Sequence, residues 1–251
     1  MTQGSSKPKS EFALLQLIPN MLTIAAICAG VSAIRFGVQG NYELAVQLIV
    51  AAAVLDGVDG WVARLLSSDS KMGAELDSLA DFLNFGVAPP LVIYFWTLQD
   101  MRNAAWISVL VYVVCCVLRL ARFNVSTKDA GDDAKGAPST HFVGVPSPAG
   151  ALLVMLPMSV SFAFAETPLL PGIFICANMI VVGLLMISRI PTWSFKTVRM
   201  SRENVKFYLV AFVVIGAALL TYAWFTLVVL CSGYIGMVIW SLVVKRPAKL
   251  K

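Results

Sequence analysis

LDGVDGWVARLLSSDSKMGAELDSLADF, residues 55–82, interrupts a largely apolar chain with acid. Asp56 and Asp59 lie three apart, which on a helix sets them about 60° apart around the axis and about 4.5 Å along it. Asp77 and Asp81 lie four apart, about 40° around and about 6 Å along, so each pair shares a face. Between the pairs, Ser67, Ser68, Asp69 and Ser70 read as a turn, with Asp69 or Ser70 placed to cap the second helix. Such a hairpin turns four carboxylates toward one point.

Carboxylates so gathered need a counter-charge, because two unit charges 4 Å apart repel by about 4 kcal/mol at an effective dielectric near 20. Clustered oxygen ligands suit a hard divalent ion, Mg²⁺ or Mn²⁺, which keeps positions open for water and substrate phosphate. Two ions balance four negative charges. Gly60, one turn after Asp56, and Gly73, one turn before Asp77, remove side chains beside the acids, so that a bulky group can approach the backbone. Arg64, one turn past Gly60, offers a planar cation suited to phosphate. The plainer reading, helix caps and surface ion pairs, is weaker because ionisable residues inside hydrophobic spans are rare and usually functional.

The spacing Asp-x2-Asp-Gly-x2-Ala-Arg-x8-Gly-x3-Asp-x3-Asp, here Asp56, Asp59, Gly60, Ala63, Arg64, Gly73, Asp77 and Asp81, resembles the signature of the CDP-alcohol phosphotransferases. The fold class expected is therefore an all-α polytopic membrane protein, CDP-alcohol phosphotransferase-like, with about eight transmembrane helices.

Composition agrees with a membrane protein. The 251 residues are 59% hydrophobic and 13% charged, with a mean hydropathy of +0.81. A net charge of +5 raises nucleic acid as a partner, but the distribution of the cations argues for membrane orientation instead, and no nucleic acid is expected. Cys28, Cys115, Cys116, Cys176 and Cys231 fall in apolar segments without metal-like spacing and read as reduced packing residues.

In chain order, the residues up to Ser10 are polar, and Glu11 to Ile18 suits a short interfacial helix. A first span is expected over about 17–37, where length and the motif that follows argue against a cleaved leader. Gly40 and Asn41 make a tight turn; the second span, about 42–66, carries the first acid pair and the third, about 72–98, the second. Pro89 and Pro90 should bend the third helix or end its regular part. A fourth span is expected over about 104–123, then a polar loop over 124–140, a fifth span over about 148–165 and a sixth over about 171–188. The basic stretch 189–206 suits an amphipathic surface piece, and the apolar run 207–244 is long enough for two more spans. This gives three parts: tail and interfacial helix (1–18), the phosphotransferase-like membrane domain (19–205), and a transmembrane hairpin with a basic tail (206–251).

Eight spans put both termini on one side. Every Lys and Arg except Arg35 and Arg102 falls in segments on that side, which the positive-inside rule makes cytoplasmic. The acid site then opens to the cytoplasm at the cell (inner) membrane, and the basic rim attracts anionic membrane lipid.

The family resemblance implies a CDP-linked lipid, CDP-diacylglycerol, as donor. It also implies that Asp56, Asp59 and Asp77 hold one metal ion and Asp56, Asp77 and Asp81 a second, with Asp81 as general base for the incoming alcohol. By the same resemblance Gly60, Arg64, Ser70 and Gly73 lie with the CDP moiety, and Asn20 and Thr23 match a weaker Pro-Asn-x-x-Thr pattern near the nucleotide; their plainer reading is a helix start. A homodimer is implied as well.

The eight-position motif does not choose the alcohol. Ser78-Leu-Ala-Asp-Phe-Leu-Asn-Phe-Gly-Val-Ala-Pro89, Leu118-Arg-Leu-Ala-Arg-Phe-Asn124, Gly144-Val-Pro-Ser-Pro-Ala-Gly150 and Ser188-Arg-Ile-Pro-Thr192 resemble members that accept L-serine. Arg119 and Arg122 beside Asn124, and more weakly Arg189, are the cations suited to a serine carboxylate or a phosphate; as plain residues they mark the inner interface. His141, the sole histidine, has no metal-ligand partner and reads as a solvated or locally bonded loop residue. The same chemistry with glycerol 3-phosphate, inositol or choline is the alternative, and a divalent-cation transporter the remote one.

Overall fold

Small side chains on the first helix decide how the acid hairpin is held. The computed structural model describes residues 9–66, 71–132, 142–165, 167–188, 191–192 and 205–244. The chain divides into two compact units, Met1–Val92 and Ile93–Lys251. In the first, helix α1 (Lys9–Val38) runs unbroken through Pro19, so the interfacial helix is not separate from the first span, and Asn20 and Thr23 lie within the helix rather than at its start. Ala26, Gly30, Ala33 and Gly37 recur at helical spacing and are buried, while Met21, Ile24, Val31 and Val38 are exposed. In an apolar medium such small residues let helices approach closely, and packing holds them. A Cβ on Gly30 would lie 2.0 Å from Asn84 Oδ1, and one on Gly37 would lie 3.1 Å from Val92 Cγ2.

The tight turn falls where expected. Gly40 takes φ +79°, the Asn41 N–H donates to Phe36 O (2.9 Å), and Asn41 Oδ1 caps α2 (Tyr42–Leu66) by accepting from the Leu44 N–H (3.3 Å). Helix α2 lies along α1 and buries Ala45, Val46, Ile49 and Ala52. Next come α3 (Lys71–Asp81), a π-helical segment (Phe82–Val87) and α4 (Ala88–Thr97) without interruption. The two prolines therefore act one turn earlier than expected and do not end the helix. Pro89 and Pro90 cannot donate to the carbonyls of Phe85 and Gly86, and the preceding turn widens, with the Ala88 N–H reaching Leu83 O.

The second unit is built on α5 (Arg102–Asp132) against α8 (Gly172–Ile187), where a Cβ on Gly183 would lie 3.2 Å from Tyr112 Cα. Helix α5 continues about nine residues past the expected end near Phe123, because no proline or glycine interrupts it before Gly131. The fifth expected span is two helices, α6 (Ser147–Val154) and α7 (Leu156–Phe164), bent by 44° at Met155, where Pro157 lacks the N–H that would bond Leu153 O. The apolar run at the end divides into α9 (Val205–Thr221) and α10 (Ala223–Val244), and α10 packs on α6, α7 and α9. Phe142–Val143 (β1) and Pro191–Thr192 (β2) form a short antiparallel pair.

Among the described residues five helical stretches are long and apolar enough to cross a membrane: Leu17–Val38, Tyr42–Ala63, Met72–Thr97, Asn103–Ser126 and Ala223–Trp240. The bent α6–α7 pair, taken as one span, makes six. The expected eight exceeds this because α8 and α9, with 16 and 17 residues, are about 24 to 26 Å long against a hydrocarbon core of about 30 Å. All five cysteines are free; Cys28 is exposed on α1 and the other four are buried. Several apolar helices with broad exposed faces of Val, Leu, Ile and Phe make this a membrane protein.

Candidate active site

Helices α2 and α3 bring the two acid pairs together as their spacing requires. One carboxylate oxygen from each of Asp56, Asp59 and Asp77 lies within 4.8 Å of the others. Asp81 meets Asp56 at hydrogen-bonding range, so all four acids belong to one cluster. Asp59 is 3% exposed and forms its floor, Asp56 and Asp81 are half-buried, and Asp77 is exposed at its mouth.

The floor is held from α1. Thr23, 4% exposed, places Oγ1 2.7 Å from Asp59 Oδ2 and 3.0 Å from Pro19 O. Thr23 thus meets the site through this carboxylate, a link between residues 36 apart in sequence that periodicity does not reveal. Asn20 is half-buried one turn earlier. Asn84, one turn beyond Asp81 on the π-helical segment, is fully buried with both amide atoms unpaired; it belongs to the stretch 78–89, in which nothing marks its burial.

The donor set fits a divalent cation. Three carboxylates at this separation repel one another by roughly 3 kcal/mol per pair at an effective dielectric of 20. Oδ1 of Asp59 is buried without a hydrogen-bond partner, an arrangement that costs about 1–3 kcal/mol or more for a charged group unless a cation meets it. An all-oxygen set of this kind suits a hard divalent ion over softer metals.

Around the acids, Gly60 is open: a Cβ there would meet nothing within 4 Å. Gly73 is half-buried in the first turn of α3. Arg64 lies on α2 one turn past Gly60, and its side chain lies outside the described residues, as does Ser70 with the rest of the turn. In the second unit, half-buried Arg119 donates from Nη1 to Ser147 Oγ at the start of α6. Arg122 donates to Ile187 O at the end of α8 (3.1 Å), and Asn124 is half-buried beyond them. Arg189 and His141 lie outside the described residues.

The family model for CDP-alcohol phosphatidyltransferase matches residues 16–191. Among curated proteins named CDP-diacylglycerol--serine O-phosphatidyltransferase, that of Mycobacterium leprae is 43% identical over 195 residues, 77% of this chain and 64% of the relative. That of Helicobacter pylori (strain ATCC 700392 / 26695) is 36% identical over 189 residues, 74% of this chain and 75% of the relative. That of Bacillus subtilis is 35% identical over 183 residues, 72% of this chain and 93% of the relative. The chain spans less than two thirds of the mycobacterial relatives, 64% and 61% of their lengths. The matched region contains the whole acid hairpin and, from residue 16 on, the helix that braces it, and on that correspondence this chain belongs to the CDP-alcohol phosphatidyltransferase family.

Proposed function

We propose that this protein transfers the phosphatidyl group of CDP-diacylglycerol to L-serine, giving phosphatidylserine and CMP. The observation that carries the reading is the convergence of Asp56, Asp59 and Asp77 in a chain of this family, with Asp81 against Asp56. Serine as acceptor is supported by the names of the relatives.

Asp56, Asp59 and Asp77 would hold a divalent ion, Mg²⁺ or Mn²⁺, and Asp56, Asp77 and Asp81 a second. Bound there, the ions would supply the positive charge that a pyrophosphate needs, the main requirement of phosphoryl transfer. Open Gly60, with Gly73, Arg64, Ser70 and Asn20, receives the CDP moiety. Asp81 takes the proton of the serine hydroxyl as its oxygen forms a bond to the β-phosphorus, and the bond from that phosphorus to CMP breaks. The serine carboxylate is assigned to Arg119 and Arg122 with Asn124, and to Arg189, because guanidinium groups suit a carboxylate and the stretches that hold them resemble members that accept L-serine. The enzyme sits in the cell (inner) membrane with termini and site cytoplasmic, in keeping with the cation distribution, and works as a homodimer, which the family resemblance implies.

Purified protein given CDP-diacylglycerol, Mg²⁺ or Mn²⁺ and one alcohol at a time is expected to release CMP with serine. Release with glycerol 3-phosphate and not serine assigns the same chemistry to another acceptor. Gly60→Ala is expected to fold as well as the wild type, since the added methyl meets open space and alanine favours a helix. It should raise KM for CDP-diacylglycerol about tenfold, a loss of about 1.4 kcal/mol of binding. An unchanged KM would remove Gly60 from the nucleotide side of the site.

A further inference from the structure

We infer that Thr23 is a positioning residue for the metal site: its hydroxyl holds Asp59 by Oδ2 and presents Oδ1 as the ligand oxygen. This rests on the metal-assisted reading above and gives Thr23 a role other than contact with the nucleotide. The hydroxyl has one proton and two acceptors in reach, Asp59 Oδ2 at 2.7 Å and Pro19 O at 3.0 Å. The carboxylate takes it, because a hydrogen bond to an ionised acceptor is shorter and roughly twice as strong as one to a neutral carbonyl. Both partners are dry, Thr23 at 4% and Asp59 at 3% exposure, so water does not compete for the bond.

The two oxygens of Asp59 are therefore unlike. Oδ2 has its partner, and Oδ1 is buried with none. A carboxylate with both oxygens free swings about its terminal torsion, which is broad and roughly two-fold. Fixing one oxygen fixes the other, and Oδ1 is the atom left for the cation. Helix α1, which gives no acid to the cluster, sets its geometry through this bond, and the close approach of Gly30 to Asn84 keeps α1 against the helix that carries Asp77 and Asp81. Outer groups that orient a metal ligand typically contribute 10- to 100-fold in affinity.

Three substitutions separate hydroxyl from shape. Thr23→Ser keeps the hydroxyl and loses a methyl, Thr23→Val keeps the shape and loses the hydroxyl, and Thr23→Ala loses both. Mn²⁺ binding to the full chain in nanodiscs, read by electron paramagnetic resonance without lipid substrate, is expected to weaken about 10- to 100-fold in the Val and Ala variants and to stay within about threefold of wild type in the Ser variant. Transfer by the Val variant recovers as Mn²⁺ is raised, with KM for CDP-diacylglycerol at saturating Mn²⁺ unchanged. Wild-type Mn²⁺ affinity in the Val variant, or a Ser variant as weak as Val, overturns the proposal. A raised KM for CDP-diacylglycerol with unaltered Mn²⁺ binding overturns it in favour of a nucleotide contact. Asp59→Ala is the control: undiminished Mn²⁺ binding in that variant defeats the metal reading itself, whereas its loss alongside a normal Thr23→Val defeats only the role of Thr23.

Discussion

Asp81→Asn is expected to fold and to bind Mn²⁺ through the remaining acids, yet to lose transfer by about 10²- to 10⁴-fold, the usual contribution of a positioned general base. The expectation follows from where Asp81 lies. The three acids with oxygens within 4.8 Å of one another are Asp56, Asp59 and Asp77, and Asp81 touches this group from one side, against Asp56. Asparagine has nearly the same size and shape and keeps a carbonyl oxygen at that position, so cluster geometry survives while the group that accepts the proton is gone. CMP release measured at saturating metal, with Mn²⁺ binding followed on the same preparation, separates the two effects. Turnover at the wild-type rate would take the base role from Asp81.

Asp56→Ala is expected to do more damage, removing both metal binding and transfer. Asp56 is the acid that joins the two halves of the cluster: it is one of the three converging ligands, and it is the partner of Asp81. Its loss leaves Asp59 and Asp77 as a two-carboxylate remnant with an open side. Fold should be retained, because Asp56 is half-buried and four like-charged groups lose a repulsive member when it goes. Equilibrium binding of Mn²⁺ and a thermal unfolding scan on the purified variant check the two halves. Wild-type Mn²⁺ affinity would contradict the ligand assignment.

The acid hairpin was legible because its geometry is local. Spacings of three and four on a helix put Asp56 with Asp59 and Asp77 with Asp81 whatever the rest of the chain does, and repulsion among like charges points to a cation. The bond from Thr23 to Asp59 was hidden for the opposite reason: it joins two helices across 36 residues, and nothing in the periodicity of either marks it. The prolines at 89 and 90 marked a disturbed helix, but the accommodation lies upstream at the carbonyls they fail to serve, giving a π-helical turn in place of regular α-helix. Polarity alone does not tell a loop from a solvated helix end, and Asn124 to Asp132 continue α5 after it has left the apolar stretch. Span counting was limited by α8 and α9, whose apolar runs are clear but whose helices are short. Asn84 lies in the quoted stretch 78–89, but its significance is set by its surroundings: a fully buried amide against Gly30, with neither atom bonded.

The central claim is that the four aspartates form a metal-loaded cradle for the pyrophosphate of a CDP-linked lipid. Anomalous diffraction at the manganese edge, from crystals grown with Mn²⁺ and CDP-diacylglycerol, tests it directly. The expected map has its peaks among Asp56, Asp59, Asp77 and Asp81, with pyrophosphate density against them. Peaks elsewhere, or a nucleotide bound away from these side chains, would contradict it.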